Sequence, residues 1–358
     1  MQVSFLLILA SCTLGNAFLY EFLLQFPKHA LWAAYKVKYG KKYSSSEENS
    51  CIDAFWKNAL EIRAHNKLYA QGLVSWKKDL NPFCDRDPAE FIQKNTGLIV
   101  EEVAPNLEAG KNVTKVEEEE KEPLLKSSNV AIPAEYNGCK AIPNWYVRDQ
   151  KNCGTCWSFS ALGSIEAAYY KKNSVLLNLS EQYLTDCVYD RDGCNGGWMP
   201  KAYDYIKNVA NGIVDETSYP YTYRYTYTEE KCKANDKTRV AKLGPQVSYF
   251  TVASDDNSIK RKVMEVGPLA VAVDCSDWVK YKSGIYSSDT RTFAANHAVL
   301  ICGWGTFRNT PYWILRNSWG PDWGLEGYIW VNAQRSTKDA KITKGGLFTQ
   351  YVFYPSLA

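Results

Sequence analysis

The chain has 358 residues, enough for two or three compact units with a sizeable core. Its 42 Lys and Arg against 39 Asp and Glu leave a net charge of +3, too small to argue for a nucleic-acid or membrane-surface partner. Eleven cysteines are many for a cytosolic chain and fit an oxidising compartment. The N-terminus agrees. Val3 to Ala10 is apolar, and Gly15-Asn16-Ala17 supplies small residues for cleavage, so residues 1–17 read as a secretory signal peptide, although no basic residue precedes the run. A membrane span needs about 20 apolar residues, and no stretch of this chain supplies them.

From Phe18 to about Asn66 the pattern is helical. Trp32, Tyr35, Tyr39 and Tyr43 fall on one face, and a second helix is predicted from Glu47 to Leu68 with Phe55 and Ile62 on its core face. Residues 100–131 form a linker: Glu117 to Glu120 is an acidic run among Lys111, Lys115 and Lys121, with too few large apolar groups to offset ordering entropy. Such a tether is where proteolytic nicking falls. Asn112-Val113-Thr114 and Asn178-Leu179-Ser180 are glycosylation sequons. The remainder, 132–358, divides by pattern. Residues 156–235 carry a helical run and then loops with Gly, Tyr and Cys. Residues 245–335 carry strand signals at Leu269 to Val273, His297 to Cys302, Tyr312 to Leu315 and Tyr328 to Val331. That order predicts an α+β architecture with a cleft between the halves.

The chemistry concentrates at Gln150 to Ser160. Cys153 and Cys156 flank Gly154-Thr155, and a helix-period run follows from Trp157 to Tyr169. Cys156 therefore stands at a helix N-terminus, where the macrodipole and free N–H groups favour a thiolate. A catalytic thiol needs a base, a group to orient that base, and donors for an oxyanion. Of three histidines, His29 and His65 lie in the N-terminal helical region, which leaves His297, 141 residues after Cys156. Asn317 follows the strand that ends at Leu315.

Cys153-Gly154-Thr155-Cys156-Trp157 resembles the active-site signature of the papain-family, cathepsin L-like cysteine proteases, with Thr155 in the Ser/Ala slot. The Cys-to-His separation fits that family's range of roughly 130–150. Two upstream stretches add to the likeness. Glu47, Phe55, Asn58, Ile62 and Asn66 match five of the six positions of a helical prosegment motif, with Cys51 where the motif has Arg. Asn81, Phe83 and Asp85 match a second motif, with Asp79 in place of its Gly. The resemblance implies a papain-like two-domain fold, with a helical left domain and an antiparallel, barrel-like right domain. It also implies a helical prodomain over 18–99 that inhibits by lying through the cleft against the substrate direction.

By the same resemblance Cys156 is the nucleophile, held as a thiolate beside imidazolium His297. Asn317 orients the imidazole under Trp319, and Gln150 with the Cys156 N–H holds the oxyanion. Gly196 and Gly197 lend backbone to the substrate. Trp198, Met199, Ala272 and Ala295 wall the pocket for the residue two before the cut, and Tyr351 is its floor. Cys153–Cys194 and Cys187–Cys232 are carried over as disulfides. The family's third bridge is missing on both sides, and Cys139, Cys275 and Cys302 remain. Cys302 reads as a buried thiol in an apolar strand, a Cys139–Cys275 bond is available, and connectivity stays open. Lys151 replaces the Gly that usually follows the oxyanion Gln, and 219–232 is long and Tyr-rich. The expected function is a secreted or lysosomal endopeptidase zymogen, a monomer acting on polypeptides without cofactor or metal. The alternatives are an exopeptidase, which the ordinary Cys-to-His spacing disfavours, and a catalytically impaired binding protein on the same fold.

Overall fold

A computed structural model describes residues 28–101, 131–189, 193–210, 212–222, 232–233, 247–288 and 293–357. The expected signal peptide, the Asn112 sequon, the Glu117–Glu120 run and most of the Tyr-rich loop lie outside the described residues.

The N-terminal unit is built on two helices, α1 (Lys28–Lys38) and α2 (Glu48–Ala70). Trp32, Tyr35, Phe55 and Ile62 are buried between them, each worth about 1.5–3 kcal/mol of apolar transfer. Tyr39 and Tyr43 were expected on the α1 face, but the helix ends at Lys38 and Gly40 takes a φ of +60° just past it. Their rings reach the same cluster from the following turn: Tyr43 stacks on Trp32 at 5.1 Å and Tyr39 meets Tyr35 edge-on at 5.0 Å. Cys51, in the motif's Arg position, leaves the nearby buried carboxylate to another cation. Asp85 is paired with Lys41 at 2.8 Å and accepts from the Tyr43 hydroxyl at 2.6 Å. The chain then forms β1 (Trp76–Lys78) and α3 (Pro88–Asn95), the latter capped by the Asp87 carboxylate on the Ala89 N–H, with Pro88 in its first turn.

The C-terminal unit opens with the two-residue strand β2 (Tyr136–Asn137). Helix α4 (Cys156–Asn173) runs through its centre, and every residue from Cys156 to Ala168 is buried. A helix covered on all sides must place its polar groups on partners. Glu166, fully buried, accepts from Trp145 Nε1 and the Leu179 N–H and is ion-paired with Arg148. Helices α5 (Glu181–Cys187) and α6 (Met199–Tyr205) pack beside α4 to complete the helical domain.

The second domain is a sheet of strands β3 (Val247–Thr251), β4 (Leu269–Val273), β5 (Tyr281–Tyr286), β6 (His297–Phe307), β7 (Thr310–Arg316), β8 (Tyr328–Asn332) and β9 (Leu347–Leu357). A helix, α7 (Asp256–Val266), packs against it. The order is β1-β5-β8-β7-β6-β4-β9-β3, with β2 on β6. Pairings are antiparallel except β5 with β8, which run parallel. The N-terminal unit's β1 is thus the edge strand of this sheet, Trp76 lying opposite Gly284.

Three disulfides form among the described residues. Cys153–Cys194 and Cys187–Cys232 are those the resemblance implied, and the third is Cys139–Cys302, which corrects the reading of Cys302 as a thiol. The cause is strand pairing. Asn137 lies opposite Gly303, and the Gly138 N–H donates to the Cys302 carbonyl at 2.8 Å, which brings Cys139 against Cys302. A Cβ at Gly303 would stand 1.9 Å from the Tyr136 carbonyl oxygen, so this approach needs glycine. Cys275 keeps its thiol, which donates to Asn296 Oδ1 at 3.3 Å.

Candidate active site

Cys156 is the first residue of α4. Thr155 precedes it, but its hydroxyl bonds to Ser158 and Thr185 side chains rather than capping the helix. The Cys156 and Trp157 N–H groups are therefore left facing the thiol end of the helix, and both lie close to the sulfur. His297 begins β6, and its Nε2 is 2.7 Å from Asn317 Oδ1, one residue beyond the end of β7. The Trp319 ring lies 5.1 Å from the imidazole and is 1% exposed, so it shields that bond from water. Adjacent antiparallel strands hold the pair: Leu300 lies opposite Arg316.

Gln150 is fully buried. Its Oε1 accepts from Ser318 Oγ at 2.6 Å, which turns Nε2 toward the cleft. There Nε2 donates to the Asn95 carbonyl at 2.9 Å and to the Cys153 carbonyl at 2.8 Å. Asn95 belongs to the prosegment, whose main chain crosses the site from Asn95 to Ile99. The Gly197 N–H donates to the Gly97 carbonyl at 2.7 Å and the Ile99 N–H to the Gly197 carbonyl at 3.1 Å. On the other wall the Leu98 N–H donates to the Asn296 carbonyl at 3.3 Å. The Leu98–Gly197 bridge is parallel. Phe91 and Phe83 meet Trp319 edge-on at 5.1 and 6.3 Å and seal the side next to the imidazole.

This cover changes the electrostatics. Burial pushes the Cys156 thiol up to about 11, although the Gly97 and Ala298 N–H groups favour its charged form. Burial brings His297 down to about 4, against the opposing bond from Asn317. Between those limits both groups are neutral while the prosegment is in place. The thiolate–imidazolium pair expected from the sequence is disfavoured in this closed state because the strap removes the water that solvates charge.

The other predicted residues divide by place. Gly196 and Gly197 lie under the strap, and a Cβ at Gly196 would stand 2.6 Å from the Gly97 carbonyl oxygen. Trp198, Met199 and Ala272 are buried in one apolar cluster that Leu98 joins, with Ala295 and Tyr351 half-buried against it. Tyr351 meets Trp198 edge-on at 5.5 Å. Lys151 has a φ of +57°, a conformation that favours glycine, and its ammonium turns back onto Asp149 at 2.6 Å. Asn178 is exposed. Sequence reasoning missed Asn95, Ser318 and the ion pair between prosegment Glu61 and enzyme Lys280 at 2.7 Å. No short-range motif marks these groups; they meet only through the fold.

A cysteine at a buried helix start, an Asn-oriented imidazole across a two-domain cleft and a strap of the same chain through that cleft define a thiol peptidase held latent by its own N-terminal segment. The comparisons agree. The papain family cysteine proteases match over residues 133–349, and the cathepsin propeptide inhibitor domain over 32–91. A cathepsin L-like proteinase of Fasciola hepatica is 36% identical over 304 residues, 84% of this chain and 86% of that protein. Cathepsin L of Sarcophaga peregrina is 34% identical over 315 residues, 83% of this chain and 86% of that one. A digestive procathepsin L 3 from the larval midgut of Tenebrio molitor superposes with a TM-score of 0.73 at 28% identity, over 93% of this chain and all of that one. The chain belongs to the papain family of cysteine proteases, as a cathepsin L-like precursor that carries its inhibitory propeptide. Among the described residues no helix is long and apolar enough to cross a membrane.

Proposed function

We propose that this zymogen cleaves peptide bonds with Cys156 as nucleophile, His297 as the base and later the acid to the leaving amine, and Asn317 as the group that fixes the imidazole. Gln150 Nε2 and the Cys156 N–H hold the tetrahedral oxyanion. The observation that carries this reading is the Asn95 carbonyl on Gln150 Nε2 at 2.9 Å: a peptide carbonyl of the strap rests on the donor that a substrate oxyanion would use. Once the strap leaves and water returns, the desolvation that neutralises Cys156 and His297 is relieved, and proton transfer from thiol to imidazole yields the reactive pair. Processing falls in the 100–131 linker and frees 132–358. The chain travels the secretory pathway, which the 1–17 run and three disulfides support, toward lysosome or exterior. It works as a monomer, glycosylated at Asn112 and Asn178.

The test is acid processing of the precursor and titration with an irreversible thiol-directed peptidyl inhibitor. Cys156→Ala removes labelling and hydrolysis and leaves the fold intact. His297→Ala is nearly as severe, and residual activity within about tenfold of the parent contradicts the roles.

The pocket for the residue two before the cut is lined by Trp198, Met199, Ala272 and Ala295 and shortened by Tyr351. Burying Leu or Val there is worth about 1.5–3 kcal/mol, whereas a charged side chain is desolvated without a partner. A peptide library therefore shows Leu or Val preferred over Phe, and Tyr351→Ala relaxes that order. Arg or Phe leading in the parent rules the pocket out.

A further inference from the structure

The direction of the Gln150 side chain depends on how its main chain is held, and the two domains hold it from opposite sides. From the sheet domain, the Ser318 carbonyl accepts from the Gln150 N–H at 2.8 Å and Ser318 Oγ donates to Oε1. From the helical domain, the Tyr221 hydroxyl donates to the Gln150 carbonyl at 2.7 Å. The next residue, Lys151, sits at a φ of +57°, so the peptide plane between them is set in a conformation that a side-chain-bearing residue does not prefer.

Tyr221 is itself firmly seated. It is 2% exposed and its ring meets Phe159 edge-on at 5.2 Å, in a small cluster with Cys153 and Cys194. Its N–H donates to Glu216 Oε1 at 3.0 Å, the Thr222 N–H donates to Gln182 Oε1 at 2.9 Å, and the Tyr219 hydroxyl donates to Asp186 Oδ2 at 2.7 Å. Gln182 and Asp186 both belong to α5, so the segment from Tyr219 to Thr222 is fastened to that helix.

We propose that Tyr221 is a positioning residue for peptide hydrolysis, its hydroxyl locking the Gln150 peptide so that Gln150 Nε2 points at the oxyanion. The proposal rests on the reading of Gln150 as an oxyanion donor. Without the hydroxyl, the Gln150 carbonyl loses its donor in a dry site, and a buried acceptor in that state rotates toward any other donor in reach. Rotation of that plane, with the Gln150 N–H still held by Ser318, shifts Gln150 Cα, from which the side-chain amide hangs. The loss falls on the transition state, where the amide faces the charge developing on the substrate oxygen, and hardly on the bound substrate.

The test compares parent, Tyr221→Phe and Gln150→Ala, each expressed as the full precursor and processed at acid pH. Three readouts separate the causes: kcat and KM on a peptide amide, inhibition by a peptide aldehyde whose thiohemiacetal oxygen uses the oxyanion donors, and alkylation of Cys156 by iodoacetamide, which forms no oxyanion. Tyr221→Phe is expected to lower kcat by about tenfold with KM within about twofold, less than the loss of the donor itself. Aldehyde affinity falls by a similar factor, and alkylation is unchanged. If Gln150→Ala lowers kcat and aldehyde affinity while Tyr221→Phe lowers neither, the proposal is overturned and the reading of Gln150 stands. Alkylation falling as far as hydrolysis in Tyr221→Phe also overturns it, because the role would then be merely structural. If Gln150→Ala leaves both readouts unchanged, the oxyanion reading fails and takes the proposal with it.

Discussion

The prosegment meets the enzyme in two places, and different forces hold them. At the sheet edge, β1 adds to β5, and side chains do much of the work. Asn81 Nδ2 donates to the Val279 carbonyl at 2.6 Å, Ser75 Oγ donates to the Ile285 carbonyl at 2.6 Å, and Glu61 is ion-paired with Lys280 at 2.7 Å. At the cleft, from Asn95 to Ile99, the contacts run mostly through the strap's main chain, by carbonyls of Asn95 and Gly97 and N–H groups of Leu98 and Ile99, with the Asn95 side-chain amide on the Lys151 carbonyl and Leu98 in the apolar cluster. The first contact contains a carboxylate that acid can neutralise. The second is made of uncharged peptide, amide and apolar groups laid over Cys156 and His297. Latency therefore comes from the geometry of the strap, and the edge adds carboxylates on which acid can act.

The largest effect separates the covered thiol from the uncovered one. With Cys156 pushed up to about 11 and His297 brought down to about 4, both are neutral throughout the range from acid to neutral pH. Iodoacetamide should modify Cys156 of the latent chain at least about a hundredfold more slowly than after processing, because the thiolate is the reacting form. Equal rates at about pH 6, near the ordinary imidazole value, would mean that the strap does not neutralise the pair.

Gly97→Ala breaks the cleft contact alone. The new Cβ would stand 2.0 Å from the Gly154 carbonyl oxygen. That oxygen cannot retreat easily, because Gly154 follows the disulfide-bonded Cys153 and its N–H is bonded to the Cys194 carbonyl. Overpacking of this kind costs about 1–3 kcal/mol or more, roughly ten- to hundredfold in affinity. The full precursor should hydrolyse peptides at neutral pH before any processing. A Gly97→Ala precursor as latent as the parent would move the seat of inhibition to the sheet edge.

Glu61→Gln tests the edge. Burial alone would raise the Glu61 carboxyl, but hydrogen bonds and charge from Lys280 and Lys78 outweigh it and hold the group below its usual value. Its contribution to docking is then present above the undocked carboxylate pKa and is lost as pH falls through the lowered one. Half of Glu61 faces water, yet the Lys280 side chain is 5% exposed, so removing the carboxylate leaves a buried ammonium without its counter-ion, held only by Asn58 Oδ1 at 3.1 Å. Glu61→Gln should weaken docking at neutral pH by about tenfold and let processing begin at higher pH. An unchanged pH profile would remove Glu61 as the acid trigger.

What the sequence reveals follows from the range of each interaction. Cys156 at a helix start, His297 at a strand start and the continuous apolar runs of β4 and β6 are local patterns, legible in a single window. Five of six positions of the prosegment helix motif are legible in the same way. The contacts that make the chain latent are not local. Glu61 and Lys280 are 219 residues apart, and β1 has no strand character until β5 offers it an edge. Cys302 illustrates the limit: its apolar strand correctly predicts burial, but the partner arrives through β2, a two-residue strand too short to leave a pattern. The direction in which a prosegment carboxylate shifts is not legible in the sequence either. Glu47 is lowered only by its own turn, through Ser44, and Asp79 goes the other way.

Asp79 yields the smallest effect and the sharpest sign. It sits at the sheet edge, where its N–H donates to the Lys280 carbonyl at 3.0 Å. Burial raises its carboxyl above the usual value, and the Leu80 N–H with Lys38, Lys282 and Lys77 offsets only part of that. A carboxyl raised on docking binds protons more readily in the docked state, so acid strengthens this contact while it weakens the one at Glu61. The unfavourable buried charge is present at neutral pH and is relieved as pH falls through the raised value. Asp79→Asn removes the charge and keeps an oxygen where Oδ1 accepts from the Leu80 N–H at 2.8 Å. The variant precursor should hold its prosegment about two- to threefold more tightly at neutral pH. As pH falls through the raised value the parent carboxyl is itself protonated, and the two should converge. The rate of processing, followed from neutral to acid pH in parent and variant, reads this directly. If Asp79→Asn loosens the prosegment at neutral pH as Glu61→Gln does, Asp79 is a paired carboxylate, and both groups belong to one acid trigger rather than to opposing ones.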